Sequence, residues 1–274
     1  MARTGGRPRG SLGERPEEEN ELYVQALARG LTILALFDVE HPEWSLNDIC
    51  LRTGISKTTA YRMLRTLEWK GFVAFDADTE RYHLGPAMIP GAYLSLSYVS
   101  FVRSTHPFLE DLAVSTGETV ELTVESAQGA VVVDQVATSH PFKPNLPTGR
   151  ILRNVANSAV RMWVAMRPEE ERARLLREPQ IKFTPHTTTD PAELTAMLER
   201  AAADGVAYDI EEQDLGVCAV SAPVFGPGGD ILAVLTVVAP SDRFGPEGQA
   251  RNTEAVRKKA AEMTAYFRSA SIAT

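Results

Sequence analysis

Lys57, Thr58, Thr59, Tyr61, Arg62 and Arg65 lie close together and combine an ammonium, two guanidiniums, two hydroxyls and a phenol. With successive residues about 100° apart on a helix, Thr58, Arg62 and Arg65 share one face, and Thr59 and Tyr61 flank it. Such a face suits phosphates and base edges. Arg62 and Arg65 can fork onto guanine O6 and N7, the threonines can meet thymine methyls or phosphates, and Lys57 at the N-terminal end can meet a phosphate. Ser56 precedes them as an expected N-cap, its hydroxyl accepting from an amide of the first turn. The opposite face carries Ala60, Met63, Leu64 and Leu67 at the i, i+3, i+4, i+7 spacing of a buried stripe. Alone, this pattern describes any solvated amphipathic helix, and its surroundings make it specific.

Ser45-Leu46-Asn47-Asp48 opens an earlier helix with a Ser N-cap and an acidic residue at N3, a capping box in which Asp replaces Glu. Leu46 and Ile49 face inward, and Gly54 supplies the permissive dihedral of the Thr53-Gly54-Ile55 turn. Gly71 is a helix stop. Phe72 to Phe75 and Arg81 to Leu84 then read as two strands joined by Asp76-Ala77-Asp78-Thr79-Glu80. Arg81, near the tip, is a candidate phosphate or minor-groove contact, although Asp76, Asp78 and Glu80 repel a phosphate unless they point away. Before this run, a helix from Glu21 to about Val39 places Val24, Leu27, Leu31, Leu34 and Phe37 on the face that packs the pair. Helix, turn, helix and wing make a winged helix-turn-helix, the layout of a DNA-binding protein.

At this point the chain resembles a known family. The run ISKTTAYRMLRTLEWKGFV and the exit RYHLGPAM from the wing are similar to the IclR (isocitrate lyase regulator) type of bacterial transcription factor, over about residues 22 to 268. The resemblance implies an N-terminal winged helix, a linker helix and a C-terminal GAF-like α/β domain that binds a small effector. It also implies dimers, often paired into tetramers, acting mostly as repressors and sometimes as activators, with the first helix contributing to the dimer contact.

Composition sets bounds of its own. The 274 residues are 44% hydrophobic, enough for a substantial core in two domains, and the net charge of −8 excludes an indiscriminate binder of nucleic acid. Between residues 45 and 84, six basic residues face five acidic ones, so each protomer makes few phosphate contacts and binds as an oligomer. Residues 1 to 16 hold four arginines against one glutamate, within a 21-residue segment that has no apolar period and the composition of a disordered tail. Gly6-Arg7-Pro8-Arg9-Gly10 resembles the core of an AT-hook, which would lay Arg7 and Arg9 in an A·T-rich minor groove; the alternative is a plain basic tail. Cys50 and Cys218 lie in separate domains and read as reduced thiols of a cytoplasmic protein, and no apolar segment approaches the roughly 20 residues needed to span a bilayer.

Residues 86 to 105 read as the connection, with Leu94, Leu96, Tyr98, Val99 and Phe101 suggesting a largely apolar helix interrupted early by Pro90 and Gly91. Beyond it, Val120, Leu122 and Val124 alternate with Glu121, Thr123 and Glu125 as in a half-buried strand, and a turn at Gln128-Gly129 leads into Ala130 to Val136. After the Pro/Asn-rich loop 141 to 149 comes an apolar helix from about Val155 to Met166, and Asp190-Pro191-Ala192-Glu193 caps another. Val217 to Phe225 and Ile231 to Ala239 are apolar on both faces, so their sheet is covered on both sides. The expected fold is therefore α+β, with a tail over 1–21, the winged helix-turn-helix over 22–85, the linker over 86–105 and the GAF-like effector-binding domain over 106–270.

The resemblance places the effector between this sheet and the helix that begins near Leu152. Where the family reads Leu-His-Ala-Thr-Ala-x-Gly-Lys-Ala, this chain has LRNVANSAV, keeping Leu152 and Ala156 but with Ser158 and Ala159 in place of Gly and Lys. Asp209 matches an acidic position of the family, Thr236 a hydroxyl that faces the effector, Val238 a further hydroxyl position, and Ala219 the family's frequent cysteine. Cys218 is one residue off and on the opposite strand face. These departures suggest a more apolar pocket, suited to an aromatic or larger, weakly charged metabolite. Asn154, Asn157, Ser158 and Thr236 would supply hydrogen bonds, Val155 and Ala156 would complete the segment, and Arg150 or Arg153 would pair a carboxylate. The bland alternative makes Thr236 a β-branched strand residue and the two asparagines ordinary loop residues.

Enzymatic chemistry finds little support. Gly-x-Ser-x-Gly, phosphate-loop and dinucleotide fingerprints are absent, and the five histidines have no metal-ligand spacing, so neither cofactor nor metal is expected. Three readings remain: a ligand-controlled repressor of a near-palindromic operator, an activator built from the same parts, or a thiol-dependent enzyme or redox sensor using Cys218.

Overall fold

The computed structural model describes residues 24–39, 41–92, 100–126, 129–140 and 147–270. The chain divides between Ser100 and Phe101 into two compact units. The first contains α1 (Gln25–Leu34), β1 (Glu43–Ser45), α2 (Leu46–Thr53), α3 (Lys57–Trp69), β2 (Val73–Asp76) and β3 (Arg81–Leu84). The Ser45 hydroxyl accepts from the Asp48 amide at 3.2 Å and donates to the Asp48 carboxylate at 2.7 Å, so the two side chains of the box bond each other. Gly54 takes φ +68° at the end of α2 and lets the chain turn into α3 without a Cβ penalty. At the far end of α3, the Gly71 and Phe72 amides return to Glu68 and Leu67 at 2.9 Å, a Schellman closure that aims the chain into the wing.

Ile33, Phe37, Ile49, Ala60, Leu64, Val73 and Tyr82 form the core of this unit, with Met63 and Leu67 partly buried against it. Two features differ from the sequence-based expectation. Helix α1 ends at Leu34 and buries Ile33, whereas Val24, Leu27 and Leu31 are 60%, 62% and 55% exposed. The Val24, Leu27 and Leu31 part of its apolar stripe therefore faces away from the core, whereas Leu34 packs against that core and Phe37, just past the helix, belongs to it as expected. The wing also has a third strand, in the order β1-β3-β2. Three residues are too few to show a period, and β1 is fixed instead by pairing with β3 and by the Trp44 indole donating to the Leu36 carbonyl at 3.0 Å.

The second unit contains α4 (Ser100–Thr116), β4 (Thr119–Ser126), β5 (Gly129–Val136), β6 (Ile151–Leu152), α5 (Ser158–Ala165), α6 (Glu169–Leu175), α7 (Pro191–Asp204), β7 (Ala207–Ile210), β8 (Val217–Phe225), β9 (Ile231–Pro240) and α8 (Pro246–Ala270). The strands form one sheet in the order β6-β5-β4-β9-β8-β7, with every neighbouring pair antiparallel. One face packs under α4 and α8 through Leu109, Leu112, Leu235, Val237, Val256 and Met263. The other packs under α5 and α7 through Val132, Met162, Trp163, Leu194, Leu198 and Val234. Both faces are covered, as the apolar runs of β8 and β9 require.

β4 departs from its expected half-burial. Val120 and Leu122 enter the first core, yet Glu121 and Thr123 are also buried, on the opposite face. Only Glu125 is fully exposed, and Thr119 to Thr123 are all buried, so there the alternation marks a polar layer inside the protein rather than a wet face. Gly129 starts β5 with φ +138°, and a Cβ there would stand 2.3 Å from the Leu152 carbonyl oxygen; glycine is what allows β6 to pair. Asp190 caps α7 as expected, accepting from the Ala192 and Glu193 amides at 3.0 and 2.9 Å. The apolar positions Leu94, Leu96, Tyr98 and Val99 of the connection fall outside the described residues. The helix that follows runs on to Thr116, with Pro107 within it. Among the described residues, no helix is long and apolar enough to cross a membrane, and no cluster of three His, Cys, Asp or Glu residues could hold a metal ion.

Candidate nucleic-acid and effector sites

The Gly54 turn and the buried Ala60–Leu64 stripe fix the roll of α3, which leaves Lys57, Thr58, Tyr61 and Arg62 exposed on one side of it. Ser56 occupies the N-cap position, but its hydroxyl donates to Thr59 Oγ1 at 2.9 Å instead of capping an amide. The first-turn amides of α3 thus carry no side-chain cap and, with the positive end of the helix dipole and Lys57, favour a phosphate. Arg65 is half-buried and committed locally: its guanidinium holds Glu68 at 2.8 Å and lies over the Trp69 ring, 5.6 Å from the centroid. Arg62 has no ion pair among the described residues and remains the freer guanidinium.

In the wing, Arg81 is exposed and pairs in register with Asp76 on β2 and Ser45 on β1. The Asp76 carboxylate accepts from the Asp78 and Thr79 amides at 2.8 and 3.3 Å, and these bonds hold its pKa below the usual value. Asp76 therefore closes the turn while Arg81 stays accessible. Arg7 and Arg9 lie outside the described residues.

The positions expected to meet an effector converge on the sheet face beneath α5. Register places Asp209, Ala219 and Val238 in one row across β7, β8 and β9, and Thr236 in the next row beside Ser221. Ser158, the first residue of α5, closes on them: its Oγ lies 2.8 Å from Ser221 Oγ, which lies 2.8 Å from Thr236 Oγ1. These three hydroxyls are buried and bond one another. Ser221 was not anticipated, although a lone hydroxyl within the apolar run of β8 is the signal that marks it.

The helix expected from Val155 begins only at Ser158, because Asn157 is its N-cap and accepts from the Ala159 and Val160 amides at 2.9 and 3.4 Å. Asn154 Oδ1 accepts from the Ala156 amide at 2.9 Å. Asn157 Oδ1 is thus spent on the backbone, whereas Asn154 Oδ1 keeps one lone pair that could meet a ligand. Val155 and Ala156 are buried walls. Arg150 and Arg153 stand just before and just beyond β6, half-buried and exposed respectively.

Burial pushes the Asp209 carboxyl up to about 7, against the pull of the Glu212 and Gln213 amides that it accepts from at 2.9 and 3.2 Å. Next to it, Arg161 is almost wholly enclosed, with Nη2 2.9 Å from Glu212 Oε1 and Nη1 donating to the Tyr208 carbonyl. This pair ties α5 to the loop after β7. A short apolar sequence run gave no hint that an arginine within it would be buried.

Cys218 points away from this layer into the core under α4 and α8, and burial raises its thiol to about 11. A thiol there is neither ionised nor reachable, which removes the redox reading. Cys218→Ala is expected to leave ligand response and DNA binding unchanged, and a thiol reagent added to native protein should react rapidly at Cys50 alone. Fast modification of Cys218 in the native state would contradict this placement.

Residues 26–77 match the IclR helix-turn-helix domain, and residues 93–265 match the bacterial transcriptional regulator IclR C-terminal domain. The chain is 33% identical over 221 residues to an HTH-type transcriptional regulator of Mycobacterium tuberculosis, a match covering 81% of this chain and 84% of that relative. It is 26% identical over 247 residues to the transcriptional repressor IclR of Escherichia coli, covering 89% and 90%. Among solved structures, an IclR transcriptional regulator of Alicyclobacillus acidocaldarius has a TM-score of 0.75 at 27% identity, covering 89% of this chain and 98% of that one. An IclR homologue of Microbacterium hydrocarbonoxydans, solved in complex with 4-hydroxybenzoate, shares the fold with a TM-score of 0.70 at 21% identity, covering 89% and 100%.

Proposed function

The chain belongs to the IclR family of bacterial transcriptional regulators, and from that premise we propose a repressor of a near-palindromic operator, controlled by a small aromatic or organic-acid metabolite held in the C-terminal domain. The observation that carries the proposal is the union, in one chain, of an exposed Lys57–Thr58–Tyr61–Arg62 face on α3 with a second unit whose sheet shelters a buried hydroxyl row beneath α5. The name of the Escherichia coli relative supports repression. Lys57 and the uncapped amides of α3 anchor a phosphate, Arg62 and Thr58 read base edges, Ser56, Thr59, Tyr61 and Arg65 border that contact, and Arg81 holds the flanking backbone.

One protomer covers one half-site. The exposed Val24, Leu27 and Leu31 of α1 supply an apolar face for a second copy, which would set two α3 helices in successive major grooves about 34 Å apart. In the second unit, Ser158 and Thr236 offer hydroxyls, Asp209 a carboxyl, and Val155, Ala156, Ala219 and Val238 apolar walls. A ligand there controls the operator only if it binds one arrangement of the oligomer better than another.

The test is a salt-titrated footprint on the DNA upstream of this gene and its neighbours, repeated with the metabolites that the neighbouring products process. A near-palindrome protected by the protein and released by one metabolite is the expected result. Protection that strengthens with ligand would point to activation or corepression, and no sequence-specific protection at any salt would sink the reading. The tail gives a separate prediction. If Arg7 and Arg9 enter a minor groove, deleting residues 1 to 16 should weaken binding most on operators with A·T-rich flanks; equal affinity with and without the tail would leave it a plain basic extension.

A further inference from the structure

Glu121 sits within β4, 3% exposed, and its Oε1 has no hydrogen-bond partner. Among the described residues it is the only buried carboxylate oxygen in that condition. The other enclosed acids are answered: Glu118 by two Arg243 nitrogens at 2.8 Å, Glu212 by Arg161, and Asp209 by two amides. Leaving a buried carboxyl unanswered is costly, and proteins tolerate that cost mainly where a site needs the group.

Its placement says which site. Val120 and Leu122 enter the core under α4 and α8, so Glu121 faces the α5 side of the sheet. Register sets it opposite Thr236, which stands opposite Ser221. Side chains directly opposite on antiparallel strands have Cβ atoms about 5 Å apart. Glu121, Thr236 and Ser221 therefore form one polar row across β4, β9 and β8, closed at its end by Ser158. In the next row, the Thr123 hydroxyl accepts from the Trp163 indole at 3.3 Å. Every hydroxyl of this layer has a partner, and the Glu121 oxygen does not.

We propose that Glu121 selects the effector by taking a hydroxyl group of a hydroxylated organic acid or phenol into the row it forms with Thr236 and Ser221. This rests on the reading of the second unit as effector-binding. A hydroxyl is the group that fits, because it both donates and accepts. Burial raises the Glu121 carboxyl to about 7, against the opposing charge of Arg150, so both protonation states are present near neutrality and the partner must serve either. A bare carboxylate would be repelled by the ionised form. A methyl or ring hydrogen would leave Oε1 unpaired, which is the basis on which a polar site rejects an analogue lacking the hydroxyl.

The test is calorimetric titration of the full chain with hydroxylated acids, each matched to its deoxy analogue: 4-hydroxybenzoate and 3-hydroxybenzoate against benzoate, and lactate against propionate. The wild type should bind the hydroxylated member of at least one pair about tenfold or more tightly than its analogue. Glu121→Gln, which keeps two hydrogen-bonding groups, should retain part of that preference, and Glu121→Leu should abolish it. Neither variant should melt below the wild type without ligand, since the replaced group lacks a partner. An unchanged preference in Glu121→Leu, or a lower melting midpoint in both variants, would remove Glu121 from this role. If no hydroxylated compound binds but another metabolite releases the operator in the footprint, this proposal fails and the effector reading stands; if nothing binds or releases, both fail.

Discussion

Arg62→Ala should cost the operator complex about 1–3 kcal/mol per recognition helix while changing affinity for random DNA little. Arg62 is exposed on the outer side of α3 and free of ion pairs among the described residues, so truncation should leave the fold undisturbed, and any loss then reports on the base contacts proposed for it. In a dimer the loss is counted twice, about 2–6 kcal/mol, which is roughly thirtyfold to more than ten-thousandfold in affinity. Arg65→Ala should be gentler, because its guanidinium already holds Glu68 and covers Trp69 and must leave both to reach a base. Lys57→Ala should weaken all sequences alike and reduce the salt slope by about one for each phosphate it no longer neutralises. Competition titrations on operator and scrambled duplexes at several salt concentrations separate the three variants. Equal losses on both duplexes for Arg62→Ala would refute its role as a base reader.

Glu121→Gln should stabilise the ligand-free protein, and only at higher pH. In the folded state the Glu121 carboxyl ionises near 7, against 4.5 for an unperturbed glutamate, so the folded chain keeps the proton longer than the unfolded chain. Its contribution to stability is complete below about pH 4.5 and is lost as pH rises through 7. A gap of this size corresponds to about 3 kcal/mol. Glutamine is neutral throughout, so the variant and the wild type should match near pH 4.5 and separate by up to about 3 kcal/mol above pH 8. Asp209 shifts in the same direction but is present in both proteins and cancels. Urea midpoints reported by Trp163, with Trp44 and Trp69 replaced, give the comparison; a constant offset across pH would show that Glu121 does not titrate in the buried layer.

The winged helix was readable because its determinants are local. The Ser45–Asp48 box, the Gly54 turn, the Ala60–Leu67 stripe and the Gly71 stop all act within a few residues, and the structure places each at its expected position. Where the reading failed, the deciding partner lay elsewhere. The apolar stripe from Val24 to Phe37 is periodic, but the sequence cannot say that Leu34 and Phe37 meet their own domain while Val24, Leu27 and Leu31 face outward. β1 exists because β3 lies beside it. On β4, alternation separates Glu121 and Thr123 from Val120 and Leu122 correctly, yet what covers the polar side is α5, some forty residues on. Helix α6 has seven residues, too few for a convincing period. Ser158 and Thr236 came from the family resemblance, whereas Ser221 and Glu121 join the same site only when register sets them in one row with Thr236.

The order β6-β5-β4-β9-β8-β7 also governs how the protein is made. Strand β4 sits at the centre of the sheet, yet the strand that completes its second edge is nearly the last synthesised: Thr123 meets Val234 across 111 residues. On the ribosome the winged helix, with its short-range contacts, can close as soon as it emerges. The second unit must hold β4 and β5 as an unfinished hairpin with an edge of unpaired backbone N–H and C=O groups until β9 arrives. During that interval the nascent chain is a substrate for chaperones and a candidate for pairing with its neighbours on the same polysome. Slowing translation between β5 and β8 would lengthen the exposure, and truncation before β9 should yield an insoluble effector domain attached to an already folded winged helix.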